Sequence, residues 1–233
     1  MMSHEMRWGG LAGIGAVVFA VAGRLVLGPA PMITDSASTF AAYLSEYRGQ
    51  IMIGSLLYAV AVVLGLWFGA ALATAFRRAD ETSDAPVLVL AGFVLVSAIG
   101  FFAVSAFAGL TYAMTAHPTL LAIAAAPYTA LTVVGTIAGI AAALPLGASA
   151  WAIAHTHVLP MWMAWFAGFV AAVRILAAFA VGSTGGVLVP GGALVTYVPG
   201  VLAGLWVLAA SWLLVREHLP VVSARTPHAM GHA

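Results

Sequence analysis

The chain has 233 residues, of which 64% are hydrophobic and only 6% are charged. Because a water-soluble domain carries about 25% charged residues, this composition excludes a soluble globular protein and predicts an integral membrane protein. The net charge of +1 does not indicate a nucleic-acid partner, and the absence of cysteine excludes disulfides, thiolate metal sites and cysteine nucleophiles.

Three apolar segments in the first half of the chain are long enough to cross a bilayer, at residues 8–28, 51–76 and 86–116. At about 1.5 Å per residue, roughly 20 helical residues span the hydrocarbon core. The connection between the first two segments predicts an amphipathic helix at the outer interface, which Asp35 or Ser36 can cap. Its apolar face, with helical spacing, consists of Phe40, Tyr43, Leu44 and Tyr47.

Three further apolar segments occupy the second half, at residues 121–154, 160–182 and 193–215. Pro127 and Pro145 fall within the first of these and predict a kink. The fold class expected is therefore all-α, a polytopic bundle of six transmembrane helices with one outer interfacial helix between spans 1 and 2.

The six spans form one predicted domain over residues 1–219, followed by a disordered cytoplasmic tail at 220–233. An even number of spans places both termini on one side of the membrane. The connections on that side are rich in arginine, whereas the opposite side has Arg48, with Arg24 nearby. Positive-inside bias then predicts cytoplasmic termini and an inner-membrane location. The arginines on the predicted cytoplasmic side are Arg7, Arg77, Arg78, Arg216 and Arg225.

Arg174 is a full charge inside the fifth span. It follows Met161 by 13 residues, which places it about 20 Å from the cytoplasmic edge, in the outer half of the membrane. Arg24, counted from Trp8, lies about 24 Å from that edge. Several ionisable groups therefore gather at the outer end of the bundle. They are Arg24, Asp35, Glu46, Arg48, His117 and Arg174.

Two interpretations of this outer cluster are open. In the first, Arg174 pairs with Glu46 or Asp35 and ties the interfacial helix to the bundle, since an Arg–carboxylate pair satisfies both charges. In the second, Arg24 and Arg174 line a shallow pocket that holds a small anion or a lipid headgroup.

The histidines offer weak candidates for a metal site. His155 and His157 are two residues apart, so on a helix they face apart, and a solvated turn explains them better. A haem would need paired histidines at mid-membrane depth, whereas His117, His155 and His157 lie at span ends. No cofactor is predicted, and the sequence does not indicate an enzyme.

Two segments carry a resemblance to a known family. The first has a tyrosine at 43 or 47, then Arg48, a Leu-Trp-Phe at 66–68 and the pair Arg77-Arg78. The second has Leu159-Pro160 followed by Trp162 and Trp165, with Met161 where a basic residue is usual. These motifs resemble a bacterial family of six-span membrane proteins of unknown function. The resemblance implies the fold and no activity.

The sequence favours a structural or accessory membrane subunit that packs against another membrane protein or a second copy of itself. Small residues four apart allow helices to approach closely. The pairs are Gly9/Gly13, Gly65/Gly69, Gly135/Gly139 and Gly200/Gly204. The alternatives are a lipid- or small-anion-binding protein or transporter that uses Arg24 and Arg174, and a metal- or haem-dependent membrane enzyme. The partners expected are membrane lipids and a membrane protein complex or homo-oligomer, without nucleic acid.

Overall fold

The computed structural model describes residues 2–216, and the regular elements within them are all helical. The helices are α1 (Met2–Leu27), α2 (Ala37–Glu46), α3 (Arg48–Ala79), α4 (Ala85–Ala116), α5 (Ala125–Thr156), α6 (Met161–Ala178) and α7 (Ala193–Val215). Short 3₁₀ segments cover Pro118–Ile123 and Phe179–Gly182. Six of these helices, all except α2, are long and apolar enough to cross a membrane. The predicted all-α fold with six spans is confirmed.

The helix bounds differ from the predicted spans where polar residues or prolines were assigned to loops. Helix α3 begins at Arg48 and includes Arg77 and Arg78, because helices project beyond the apolar run. Helix α5 begins only at Ala125, since the preceding residues form a 3₁₀ turn. Pro127 therefore lies in the first helical turn, where a missing N–H breaks no intrahelical bond, and Pro145 alone stands inside α5.

The predicted tail at residues 220–233 lies outside the described residues.

The six spanning helices form a ring in chain order. Each span packs against the next, and α7 closes the ring by packing on α1. The α6–α7 interface is the least extensive of the six. Large apolar side chains such as Leu25, Phe102 and Leu176 are exposed on the outside, as a lipid-facing surface requires. We call the end of the ring that carries α2 the α2 end, and the opposite end, where α1 begins and α7 ends, the terminal end.

The centre of the ring is filled in its terminal half. Trp206 is completely buried there, and its Nε1 donates a hydrogen bond to the Met163 carbonyl over 3.2 Å. The Phe68 ring packs edge-on against it, with ring centres 6.4 Å apart. Five of the six spans, α3 to α7, contribute buried side chains to this core. Its fully buried large members are Phe68, Leu72, Phe76, Val89, Ile153, Met163, Val170, Trp206 and Leu214.

Helix α2 packs its apolar face onto the other end of the ring. The Ser36 hydroxyl caps the helix by accepting a hydrogen bond from the Thr39 N–H at 3.4 Å. Phe40, Tyr43 and Leu44 are buried, as the helical spacing predicts. They lie against the ends of α4 and α5, in a cluster with Met114, Ala124 and Tyr128.

Gly92 marks a close approach between α4 and α5. A Cβ on Gly92 would lie 2.7 Å from both the N and the Cδ atoms of Pro145, whose ring cannot move aside. We expect Gly92→Ala to lower the free energy of unfolding by about 1–3 kcal/mol, measured by thermal or SDS unfolding in mild detergent. Gly109→Ala, in the same helix but with nothing within 4 Å of its Cβ, is the matched control. Gly109→Ala should leave the free energy of unfolding unchanged or raise it by about 0.5–1 kcal/mol. Equal losses of stability in the two variants would contradict the close packing of Gly92 on Pro145.

Candidate functional site

A cavity of about 450 Å³ lies inside the ring at the α2 end. All six spans and α2 contribute to its lining, from Pro31 and Tyr43 near the mouth to Gly139 and Arg174 at depth. On α5 the lining runs from Tyr128 to Gly139, which is 11 residues further along, so the cavity extends about 16 Å along this helix. Its volume falls within the range of small-molecule sites, about 300–1,000 Å³. The ring is therefore packed in one half and hollow in the other.

Arg174 is the deepest charge of this cavity. Its Nε atom is buried and has no hydrogen-bond acceptor among the described residues. Gly139 allows α5 to approach α6 closely at this point, since a Cβ on Gly139 would lie 3.0 Å from the Arg174 carbonyl oxygen. A charge at membrane depth costs about 2.5–3.5 kcal/mol on insertion scales and normally has a partner. The Nε of Arg174 has no such partner among the described residues.

Arg24, by contrast, is engaged by protein groups. Its Nε donates to the Tyr197 hydroxyl at 3.0 Å, and its Nη1 donates to the Gly28 carbonyl at 2.5 Å. The guanidinium carbon also lies 5.2 Å from the centre of the Tyr197 ring. Arg24 therefore ties α1 to α7 while it adds a second positive charge to the cavity lining.

The structure does not bring Arg174 to either predicted carboxylate. The Asp35 Oδ2 atom accepts a hydrogen bond from the Met32 N–H of its own turn at 2.8 Å, and Glu46 is exposed at the last residue of α2. Neither residue lines the cavity, and none of the described residues that line it is acidic. The predicted ion pairs with Arg174 are thus absent from the described residues, because local turn geometry engages Asp35 and α2 holds Glu46 at the surface. The described lining of the cavity therefore carries the positive charges of Arg24 and Arg174 without a carboxylate to balance them.

Two other residues of the predicted outer cluster lie at the α2 end but outside the cavity. The Arg48 guanidinium stacks over the Tyr112 ring, 5.6 Å from its centre, and Arg48 itself is exposed. His117 ends α4 as an exposed C-cap residue. Of the six residues in the predicted cluster, the structure therefore brings only Arg24 and Arg174 together in the cavity.

The weak metal candidates lie at the terminal end. The His155 ring stacks on Trp151 with centres 4.9 Å apart, and its Nδ1 lies 3.0 Å from the Trp151 carbonyl. His157 ends α5 in a left-handed conformation, with φ 52°. Within residues 2–216 no three His, Asp or Glu side chains gather in a group that could hold a metal ion.

Two hydroxyl side chains of α3 belong to the site and were missed by the sequence analysis. Ser55 and Tyr58 line the cavity, and neither donates a hydrogen bond to another described residue. Thr132 and Thr136 also line it, but their hydroxyls bond to carbonyls of their own helix at 3.0 Å. Polar side chains one turn apart in an otherwise apolar span were the available signal for Ser55 and Tyr58.

Two tyrosines hold the end of α1 and the connection that follows it at the cavity mouth. The Tyr43 hydroxyl donates to the Leu27 carbonyl at 3.2 Å, and the Tyr128 hydroxyl donates to the Pro31 carbonyl at 3.2 Å. Burial raises the pKa of Tyr43, against the lowering effect of Arg24. The phenol therefore stays protonated at neutral pH, and its hydrogen bond is not lost there.

Comparisons with family models, with curated proteins and with solved structures find no match for this chain. The resemblance to a six-span family is accordingly supported at the level of six apolar helices, and not as membership.

Proposed function

We propose that the protein binds an anion in this cavity, with Arg174 as the main ligand-binding side chain and Arg24 as a second source of positive charge. The observation that carries the proposal is the buried, unpartnered Nε of Arg174 in a cavity whose described lining has no carboxylate. A buried charge without compensation is costly, and a bound anion would supply the compensation.

The chemistry of the lining suits an oxyanion. A guanidinium presents a planar fork of N–H donors that matches carboxylate, phosphate or sulfate, and its interactions strengthen where water is scarce. The free hydroxyls of Ser55 and Tyr58 add uncharged donors. The apolar spans contain no Asp or Glu, so neither proton nor cation coupling enters the proposal.

The proposed setting is a bacterial inner membrane with both termini in the cytoplasm. Arg7, Arg77, Arg78 and Arg216 lie at the terminal end of the ring, which supports this orientation through positive-inside bias. The cavity would then open toward the outside of the cell.

The test is the response of purified protein to anions. In mild detergent, sulfate or phosphate should raise the melting temperature of the wild type; saturation at about 100 times the Kd corresponds to about 2.7 kcal/mol of stabilisation. Arg174→Gln should lose this response, and Arg24→Gln should lose part of it.

Arg48→Gln is the matched control, since it removes the same charge at the same end of the ring from an exposed residue outside the cavity. It should respond as the wild type does. Equal responses from wild type and Arg174→Gln, or no response from any of these proteins, would refute the proposal.

The accessory-subunit function stays a prediction without an observation that favours it. Several of the paired glycines are used inside the chain. A Cβ on Gly13 would collide with Phe68, one on Gly69 with Phe93, and one on Gly139 would crowd α6. The metal- or haem-dependent enzyme likewise stays a prediction.

A further inference from the structure

We infer that the ligand is an amphiphile, with its anionic headgroup on Arg174 and an alkyl chain along the apolar wall of the cavity. This inference rests on the proposed function and specifies its ligand class. It distinguishes a lipid-like anion from a free inorganic anion, which share the same headgroup chemistry.

The wall of the cavity is mostly hydrocarbon. Its polar side chains are two arginines and eight hydroxyl residues, four of them tyrosines with an aromatic ring, and the other 13 lining residues are apolar. The apolar lining includes Leu27, Val104, Phe107, Leu131, Val195 and Pro199. The hydroxyls of Thr132 and Thr136 donate to backbone carbonyls of their own helix. These two polar residues therefore have no free hydroxyl hydrogen for a ligand.

A small inorganic anion can meet the guanidinium of Arg174, but it leaves the apolar wall of the cavity to water. At about 30 Å³ per water, a volume near 450 Å³ would hold roughly 15 water molecules beside such an anion. These waters would bond to one another, but those that lie against the apolar side chains would lose hydrogen-bond partners there. An alkyl chain needs no such partners, and it fills the same space while the headgroup meets the guanidinium of Arg174.

Gly135 offers a way to fill the cavity without disturbing the helices. It lines the cavity one turn from Gly139 toward the α2 end, and nothing lies within 4 Å of a Cβ placed there. A leucine at 135 would therefore occupy ligand space above Arg174. Gly109 in α4 is equally uncrowded but does not line the cavity, so Gly109→Leu is its matched control.

The experiment measures affinity along a series of alkanesulfonates, from ethanesulfonate to decanesulfonate, with inorganic sulfate as the chainless probe. Protein in lipid nanodiscs is titrated calorimetrically, and Arg174→Gln gives the baseline for partitioning into lipid. We expect the wild-type affinity to rise by a factor of about two to four per methylene and then level off once the cavity is full.

The affinity of Gly135→Leu should level off at a shorter chain than that of the wild type, and Gly109→Leu should follow the wild type. Arg174-dependent binding of sulfate without any chain-length dependence would overturn the amphiphile and leave the anion site standing. An identical chain-length series for Gly135→Leu and wild type would also overturn it. The absence of Arg174-dependent binding across the whole series would instead refute the proposed function itself.

Discussion

Replacing Arg174 by methionine is expected to stabilise the protein while it abolishes anion binding. Methionine has a similar length and flexibility, and it removes a charge whose Nε is buried without a partner. The relief should amount to about 1–3 kcal/mol, since a charge within a span costs about 2.5–3.5 kcal/mol and part of the guanidinium faces the cavity. The measurement is thermal unfolding in mild detergent without added sulfate or phosphate. A site that is maintained at a cost in stability is typical of function.

Arg48→Met is the control for this prediction, because Arg48 is exposed and stacked on Tyr112. Its effect should stay within about 0.5 kcal/mol. Saturating anion should reverse the order, so that the wild type becomes more stable than Arg174→Met. A loss of stability of about 3–5 kcal/mol in Arg174→Met would show instead that the arginine belongs to a buried ion pair.

Truncating Trp206 to alanine should cost about 3–5 kcal/mol of unfolding free energy, the largest loss expected from a single side chain of this protein. Trp206 is 0% exposed, contacts the Phe68 ring edge-on and bonds to the Met163 carbonyl. Its removal opens a void at the centre of the terminal half, where α3, α6 and α7 meet. Unfolding by SDS or heat in detergent measures the loss.

Trp165→Ala is the matched control, since Trp165 is 75% exposed on the outer surface of α6. In detergent it should change stability by less than about 1 kcal/mol, because no buried cavity is created. Trp206→Phe should fall between the two, as it keeps an aromatic ring but loses the hydrogen bond. Similar losses for Trp206→Ala and Trp165→Ala would contradict a core centred on Trp206.

The spans and the buried face of α2 were predictable because both depend on local pattern. The length of an apolar run shows that a helix can span the membrane. The helical spacing of Phe40, Tyr43 and Leu44 shows that they share one buried face of α2. The sequence also located Arg174 and Arg24 at the same end of the bundle, by counting residues along two spans. Span length, the apolar face of α2 and the depth of each arginine can each be read along one helix, without knowledge of its neighbours.

The partners of those charges were not predictable, because they depend on ring order and on turn geometry. Counting depth places Asp35 near Arg174, but Asp35 bonds to the Met32 N–H three residues away. Ser55 and Tyr58 enter the cavity only because α3 presents that face to the centre of the ring. A helical period shows that a face is buried, and not which neighbour it meets.

The closed ring in chain order has a consequence for how the protein is made. In the described part of the chain, α1 against α7 is the one ring contact between helices far apart in sequence. The five other interfaces can form successively as each hairpin emerges from the ribosome, with little loop entropy to overcome. Trp206 and the α7 wall of the cavity arrive last. The cavity is therefore incomplete on a nascent chain that stops after α6, and packing of α7 against α1 is the step that both closes the ring and completes the cavity wall.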